Sequence, residues 1–293
     1  MNNLYQNYKI ILTQLQKLDV SFEPFLQIRK PKLSNMECIA LNITAEYMSI
    51  DSECQLFRVL KGTPLDGLIE RSVYNKRKKI LFGLLNEVRL SLSKRLNESE
   101  QYYVVDSMAL DICKLSRSNR SVICKEEQRT FPDKGYCASQ DRYFYGYKIH
   151  AVVSCTGVVE HFDLTAASVH DVHYLNDIKY QMKHCTIIGD KGYISAAQQT
   201  SLFETANIRL EVPMRNNQLN YTPQPYIIRK TRKRIETFLS QLCDQFMIQR
   251  NYAKTFVGYK TRILSKLTTV TMIQFLNKFT FNRNINNLKV NLA

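Results

Sequence analysis

Near residue 100 the apolar residues stop recurring at every third or fourth position and begin to come in short aromatic and β-branched runs, so the chain divides into a helical part and a part that must build a sheet. Before the switch, Leu4, Tyr8, Ile11, Leu15 and Leu18 make one helical stripe. Ser34 followed three residues later by Glu37 is the capping-box pattern and opens a second helix. Asp51 is placed to cap a third, which carries Leu56, Phe57 and Leu60 and stops at Lys61-Gly62. A long fourth helix is expected from about Ser72 to Leu96, with Lys76, Arg77, Lys78 and Lys79 in its first turns and Ile80, Leu81, Leu84, Leu85, Val88 and Leu92 buried. Short helices ahead of a basic one suit a DNA-binding module whose cations neutralise phosphates. A helical bundle that braces the next domain fits the same pattern.

After the switch, QYYVVD (101–106) reads as a strand, and YGYKIHAVVS (145–154) with GVVEHFDLT (157–165) as a hairpin turning at Cys155-Thr156. A helix over about 171–182, a short buried strand CTIIGD (185–190), a helix capped by Ser195 with Gln198, and a strand over 208–212 follow. That order predicts an α/β fold, a mixed sheet covered by helices, preceded by an all-helical region. The expected boundaries are 1–98 for the helical region and 99–293 for the α/β region, with the apolar run from Phe256 to Phe281 as a helix supporting the latter.

Lys and Arg outnumber Asp and Glu 41 to 26, a net charge of +15, which favours a polyanionic partner without saying which one. The first residues, MNNLYQNYKIILTQLQ, make neither a signal peptide nor a spanning helix, so the expected location is cytoplasmic. Eight cysteines stand singly with no C-x-x-C pair, which argues against a zinc ribbon and a disulfide scaffold. His170 and His173 lack the further ligands that a zinc site needs.

Three acidic residues carry the chemical signal. Asp106 ends one apolar strand and Asp190 ends another, where a carboxylate is costly unless something cationic neutralises it. A single aspartate after a strand is more often a turn former, but two at the ends of two buried strands ask for a common reason. Glu236 borders the seam of a helix built on Ile235, Phe238, Leu239, Leu242 and Phe246; an ordinary ion pair with Arg232 would explain it equally well. Three carboxylates without His or Cys ligands suit two hard divalent ions, one activating an attacking oxygen and one stabilising a leaving oxygen at phosphorus.

These segments resemble the DDE transposases of bacterial insertion sequences, most closely the insertion sequence 982 family. The likeness runs through LSNMECIALNI, YYVVDSMAL, DKGYCAS with YFYGYKIHAVV, LTAASVHDVHYL, IIGDKGYISA and RKRIETFLSQL, almost the whole chain, with the third acid 46 residues beyond the second (236 minus 190). It implies an RNase H-like fold in which Asp106, Asp190 and Glu236 are the catalytic ligands of two Mg²⁺ ions, with Mn²⁺ able to substitute. It also implies binding to the element's terminal inverted repeats, cleavage there, and joining of the 3′ hydroxyls to target DNA by a protein that is a homodimer on DNA. In related families the last acid sits in a Tyr-x-x-Arg-x-x-x-Glu-x-x-x-x-x-x-Lys pattern; here Arg232 matches, while Arg229 replaces the tyrosine and Cys243 the lysine. Lys148, Lys191 and Arg232 are the candidates for phosphate contacts in its place. Two rivals remain at this level: a non-catalytic DNA-binding repressor and a structure-specific nuclease.

Overall fold

The computed structural model describes residues 3–18, 20, 31–215, 217, 221–288 and 292. The chain forms two compact units, one of Met1–Leu96, Leu242–Ala253 and Val257–Ala293, the other of Asn97–Gln241 and Lys254–Phe256. Among the described residues, no helix is long and apolar enough to cross a membrane.

The helical unit begins with α1 (Leu4–Gln16), which buries Leu4, Tyr8, Ile11 and Leu15, the stripe that the spacing predicts. In α2 (Asn35–Tyr47) the capping box forms: Ser34 Oγ accepts from the Glu37 N–H and Glu37 accepts from the Ser34 N–H at 2.6 Å. Helix α3 (Glu53–Val59) starts one residue later than expected, because Asp51 is drawn into an ion pair with Arg262 and Ser52 takes the cap position. The long helix expected from Ser72 is two helices, α4 (Arg71–Ile80) and α5 (Phe82–Leu96). They part at Leu81, whose ψ of 10° leaves the helical range; the offset turns Leu81 inward and leaves Ile80 exposed.

In the C-terminal part, α9 (Phe256–Phe279) is buried on all sides between Ile263 and Asn277. Its hydroxyls are satisfied locally: Ser265, Thr268, Thr269 and Thr271 each donate to the carbonyl four residues back. The sequence reading places this helix on the α/β region. Its side-chain bonds instead reach α2, from Lys266 to Glu46 at 2.6 Å and from Asn42 to Ser265 at 2.7 Å, and it belongs to the helical unit. A helix buried all round has no outward face, so its period carries no information about which neighbour covers it.

The second unit is a mixed six-stranded sheet flanked by helices, the α/β class expected and consistent with the RNase H-like arrangement. Strands β1 (Tyr102–Cys113), β3 (Arg142–Ser154) and β4 (Val159–Ala166) pair antiparallel, while β5 (Thr186–Ile188) pairs parallel with β1 and β6 (Arg209–Glu211) parallel with β5. Strand β2 (Asp133–Cys137), absent from the sequence reading, pairs with the first residues of β3, whose later residues pair with β4. Gly146 marks that change of partner. A Cβ there would lie 2.1 Å from the Leu110 carbonyl oxygen, so only glycine lets the strands pass. Helices α6 (Leu175–Gln181) and α7 (Ala196–Ala206) cover one face, sharing a core of Tyr103, Val105, Ile178, Ile187, Leu202 and Leu210. Most of α8 (Tyr226–Asp244), as far as Gln241, also belongs to this unit.

Candidate active site

The parallel ladder between β1 and β5 sets the two aspartates level. Its last pair is Val104 with Ile188; Asp106 lies two residues further along β1 and Asp190 two residues beyond the end of β5. Side chains alternate in extended chain, so both continue the face of Tyr102, Val104, Thr186 and Ile188, opposite the one that packs on α6 and α7. On that opposite side Tyr102, Thr186 and Ile188 line a cavity of about 550 Å³ with Ile227, Ile228 and Thr231 of α8. Arg234 of the same helix donates to the Thr156 carbonyl at 3.0 Å and lies against Gly157, whose φ is +99°. A side chain at 157 would push this guanidinium away. The sheet face that bears Asp106 and Asp190 is therefore the face toward α8.

Each aspartate is oriented by its own backbone. Asp106 Oδ1 accepts from the Ser107 N–H at 2.8 Å, and Asp190 Oδ1 from the Gly192 N–H at 2.8 Å, capping a short 3₁₀ turn over Lys191–Tyr193. Burial pushes the Asp106 carboxyl up to about 6; the Ser107 N–H and Arg232 oppose the rise, while the charges of Asp190 and Asp171 add to it. Tyr193 is fully buried, and its hydroxyl is held far from ionisation by burial and then by the charges of Asp171, Asp106 and Asp190. Three carboxylates thus share one neighbourhood, and the third, Asp171, is one that sequence reasoning missed. Its signal in the sequence is slight: it follows His170 in a turn after a strand, where a polar residue is ordinary.

A raised carboxyl pKa is also a stability statement. The fold favours the neutral Asp106 carboxyl: that preference is complete below the ordinary carboxylate value of 3.8 and is lost as pH rises through about 6. Two pKa units correspond to about 3 kcal/mol, which partial exposure reduces to about 2. Asp106→Asn is expected to raise the melting temperature of the metal-free protein at pH 7.5 by several degrees, and by less as pH falls below 5. Thermal melts across that range check it; an unchanged or lowered melting point at pH 7.5 would show that Asp106 carries no such load.

The other residues singled out from the sequence fall in several places. Arg232 reaches the field of Asp106, and Glu236, four residues on, shares its helix face with an exposed side chain. Among the described residues, no three His, Cys, Asp or Glu side chains gather closely enough to hold an ion between them, which applies to Asp106, Asp190 and Asp171 as well as to Glu236. Lys191 is exposed beside Asp190. Lys148 is ion-paired with Asp171 at 3.0 Å. On α4, Lys76 is exposed and Lys79 half-buried, whereas Arg77 donates to the Leu33 carbonyl and Asn35, and Lys78 pairs with Glu53 at 2.7 Å. His150 is a core histidine, bonded to Thr165 at 2.8 Å and stacked on Tyr174; burial depresses its pKa to about 4.

The donor set fits a hard divalent cation. All the donors are carboxylate oxygens, two are held by backbone N–H groups with a second oxygen left to each, and the charge of Asp190 bears on Asp106. A family model described as a transposase DDE domain matches residues 98–272, more than half of the chain. No curated protein matches.

Proposed function

The chain belongs to the transposase DDE domain family, and on that premise we propose that it is the transposase of an insertion sequence akin to the 982 family, acting in the cytoplasm on the ends of its own element. Asp106, Asp190 and Glu236 would hold two Mg²⁺ ions, or Mn²⁺ in their place. When bound, the ions activate an attacking oxygen and stabilise a leaving oxygen at phosphorus. The observation that carries this reading is the level placement of Asp106 and Asp190 on the sheet face toward the helix of Glu236.

The chain's own groups have separable tasks. The Ser107 and Gly192 N–H groups each occupy one oxygen of their aspartate and so aim the other. Arg232 and Lys191 supply positive charge for the phosphates that flank the scissile bond. Lys76 and Lys79 offer the same on the helical unit; Arg77 and Lys78, tied to their neighbours, shape that surface. One site serves two in-line steps, water attacking first and the freed 3′ hydroxyl second, because positioning is most of what either step requires. Two ends must be handled together, which calls for a homodimer on DNA.

The test is a reaction of the purified full chain with DNA spanning an inverted repeat and its flank. The expected products are cut 3′ ends with Mg²⁺ and, from pre-cut ends, strands joined to a target plasmid. Binding without cleavage in either metal would make the protein a repressor. Cleavage of branched DNA with no joining would make it a nuclease.

A further inference from the structure

Helix α4 of the helical unit is fixed on one side and exposed on the other. On its inner side Tyr74 is buried and meets Phe57 of α3 edge to face at 5.7 Å. Asn75 and Lys78 both hold Glu53 of α3, at 2.9 Å and 2.7 Å. Arg77 donates to the Leu33 carbonyl and to Asn35 at the start of α2. Positions 74, 77, 78 and 81 make one helical stripe, so the outward stripe falls on Ser72, Val73, Lys76, Lys79 and Ile80.

Two β-branched apolar residues stand on that outward stripe, Val73 at 44% and Ile80 at 53% exposure. One exposed apolar side chain is ordinary on a protein surface. These two are seven residues apart, about two turns, so they stand in line along the axis, with Lys76 and Lys79 together on one flank. Charge narrows the choice of partner. With its cap, α4 carries Arg71, Lys76, Arg77, Lys78 and Lys79 against Glu70. Arg77 is used internally and Lys78 is neutralised by Glu53, which leaves the excess on the outward side. A DNA duplex offers the complement of both features in one place, thymine methyl groups on the floor of the major groove and phosphates along its rim. That groove is about 12 Å wide and admits an α-helix. Seven helical residues rise about 10 Å, the span of about three base pairs.

We infer that α4 is the helix that reads the element ends, lying in the major groove with Val73 and Ile80 against thymine methyl groups and Lys76 and Lys79 on the adjoining phosphates. This rests on the end-binding reading above and deepens it, by separating the residues that choose the sequence from those that only attract the backbone. The bonds of the inner side set the orientation of α4 before DNA arrives, so little ordering cost is charged to binding.

The experiment compares binding of the full chain to a duplex carrying the inverted repeat and to a scrambled duplex, at several salt concentrations. Val73→Ala and Ile80→Ala are each expected to lower the preference for the repeat about 4- to 15-fold, the worth of one or two buried carbons, with the salt slope unchanged. Lys76→Ala weakens binding to both duplexes alike and lowers the salt slope by about one. Replacing the thymines of the repeat by uracil, one at a time, removes single methyl groups. The wild type is expected to lose about 4-fold at the positions read, and each alanine variant to be indifferent at one of them. Alanine variants that keep the wild-type preference within twofold overturn the assignment of α4. So do variants whose oligomeric mass without DNA differs from the wild type, which would make this face a contact between copies. A wild type that does not distinguish the two duplexes sinks end binding itself, and the role of α4 with it; a wild type that does, beside variants that do equally well, sinks only the role of α4. Circular-dichroism melts identify an unfolded variant. The uracil scan of the wild-type chain then decides, and a repeat with no sensitive thymine overturns the inference.

Discussion

Cleavage of element ends is expected to fall by at least about 10³-fold when Asp106 or Asp190 is replaced by Asn, or Glu236 by Gln, one at a time. A factor of that size is about 4 kcal/mol in the barrier, the scale on which a hard cation stabilises charge developing at phosphorus. DNA binding by the same variants is expected to stay within a few-fold of the wild type or to tighten, since each removes a negative charge from a basic protein. The three need not be equal. Asp106 lies in β1 and Asp190 just past the neighbouring β5, while Glu236 is exposed on α8, so its removal is the sharpest test of the triad. A Glu236→Gln protein that cuts at a tenth of the wild-type rate or better, beside inactive Asp106→Asn, would take the third acid away from α8.

The largest loss of stability is expected from breaking the Glu46–Lys266 pair. The two side chains are only 9% and 2% exposed and meet at 2.6 Å between α2 and α9. Removing one partner leaves the other charged without compensation in the core of the helical unit, a cost of roughly 3 to 5 kcal/mol. Lys266→Met or Glu46→Leu alone should therefore lower the urea midpoint of this unit steeply. The double variant, with both charges gone and similar volume kept, should recover most of the loss, because a buried ion pair is itself close to break-even against apolar residues. Equal midpoints for the single variants and the wild type would mean that water reaches the pair.

Local signals carried much of the architecture. The Ser34–Glu37 box, the Ser195 cap and the hairpin of β3 and β4 depend on residues a few positions apart, and all form as the spacing predicts. Asp190 was legible as the acid that follows a short strand, whereas Asp106, read as a strand end, lies inside β1, which stays paired with β3 as far as Cys113. Their level placement was not, because it is set by pairing of Val104 with Ile188 across the intervening hairpin. Asp171 was hidden on similar grounds: its place is held by the ion pair with Lys148, which comes from a distant strand. The single helix expected over 72–96 failed on one residue, Leu81, where inward burial outweighed an unbroken helix. The neighbour of α9 was beyond any periodicity argument, since every side of it is buried between Ile263 and Asn277.

The bonds that tie α9 to α2 also impose a schedule on biosynthesis. Asn42 waits for Ser265 and Glu46 for Lys266, gaps of 223 and 220 residues. At roughly 5 to 20 residues per second, the ribosome reaches those partners some 10 to 40 s after the early helices have left it. In that interval the nascent N-terminal third exposes the surface that α9 will cover, while the sheet-bearing segment is translated and can fold in between. A message cut short before codon 257 would therefore yield a product whose first hundred residues never close their core, leaving proteases and chaperones to meet it before DNA does.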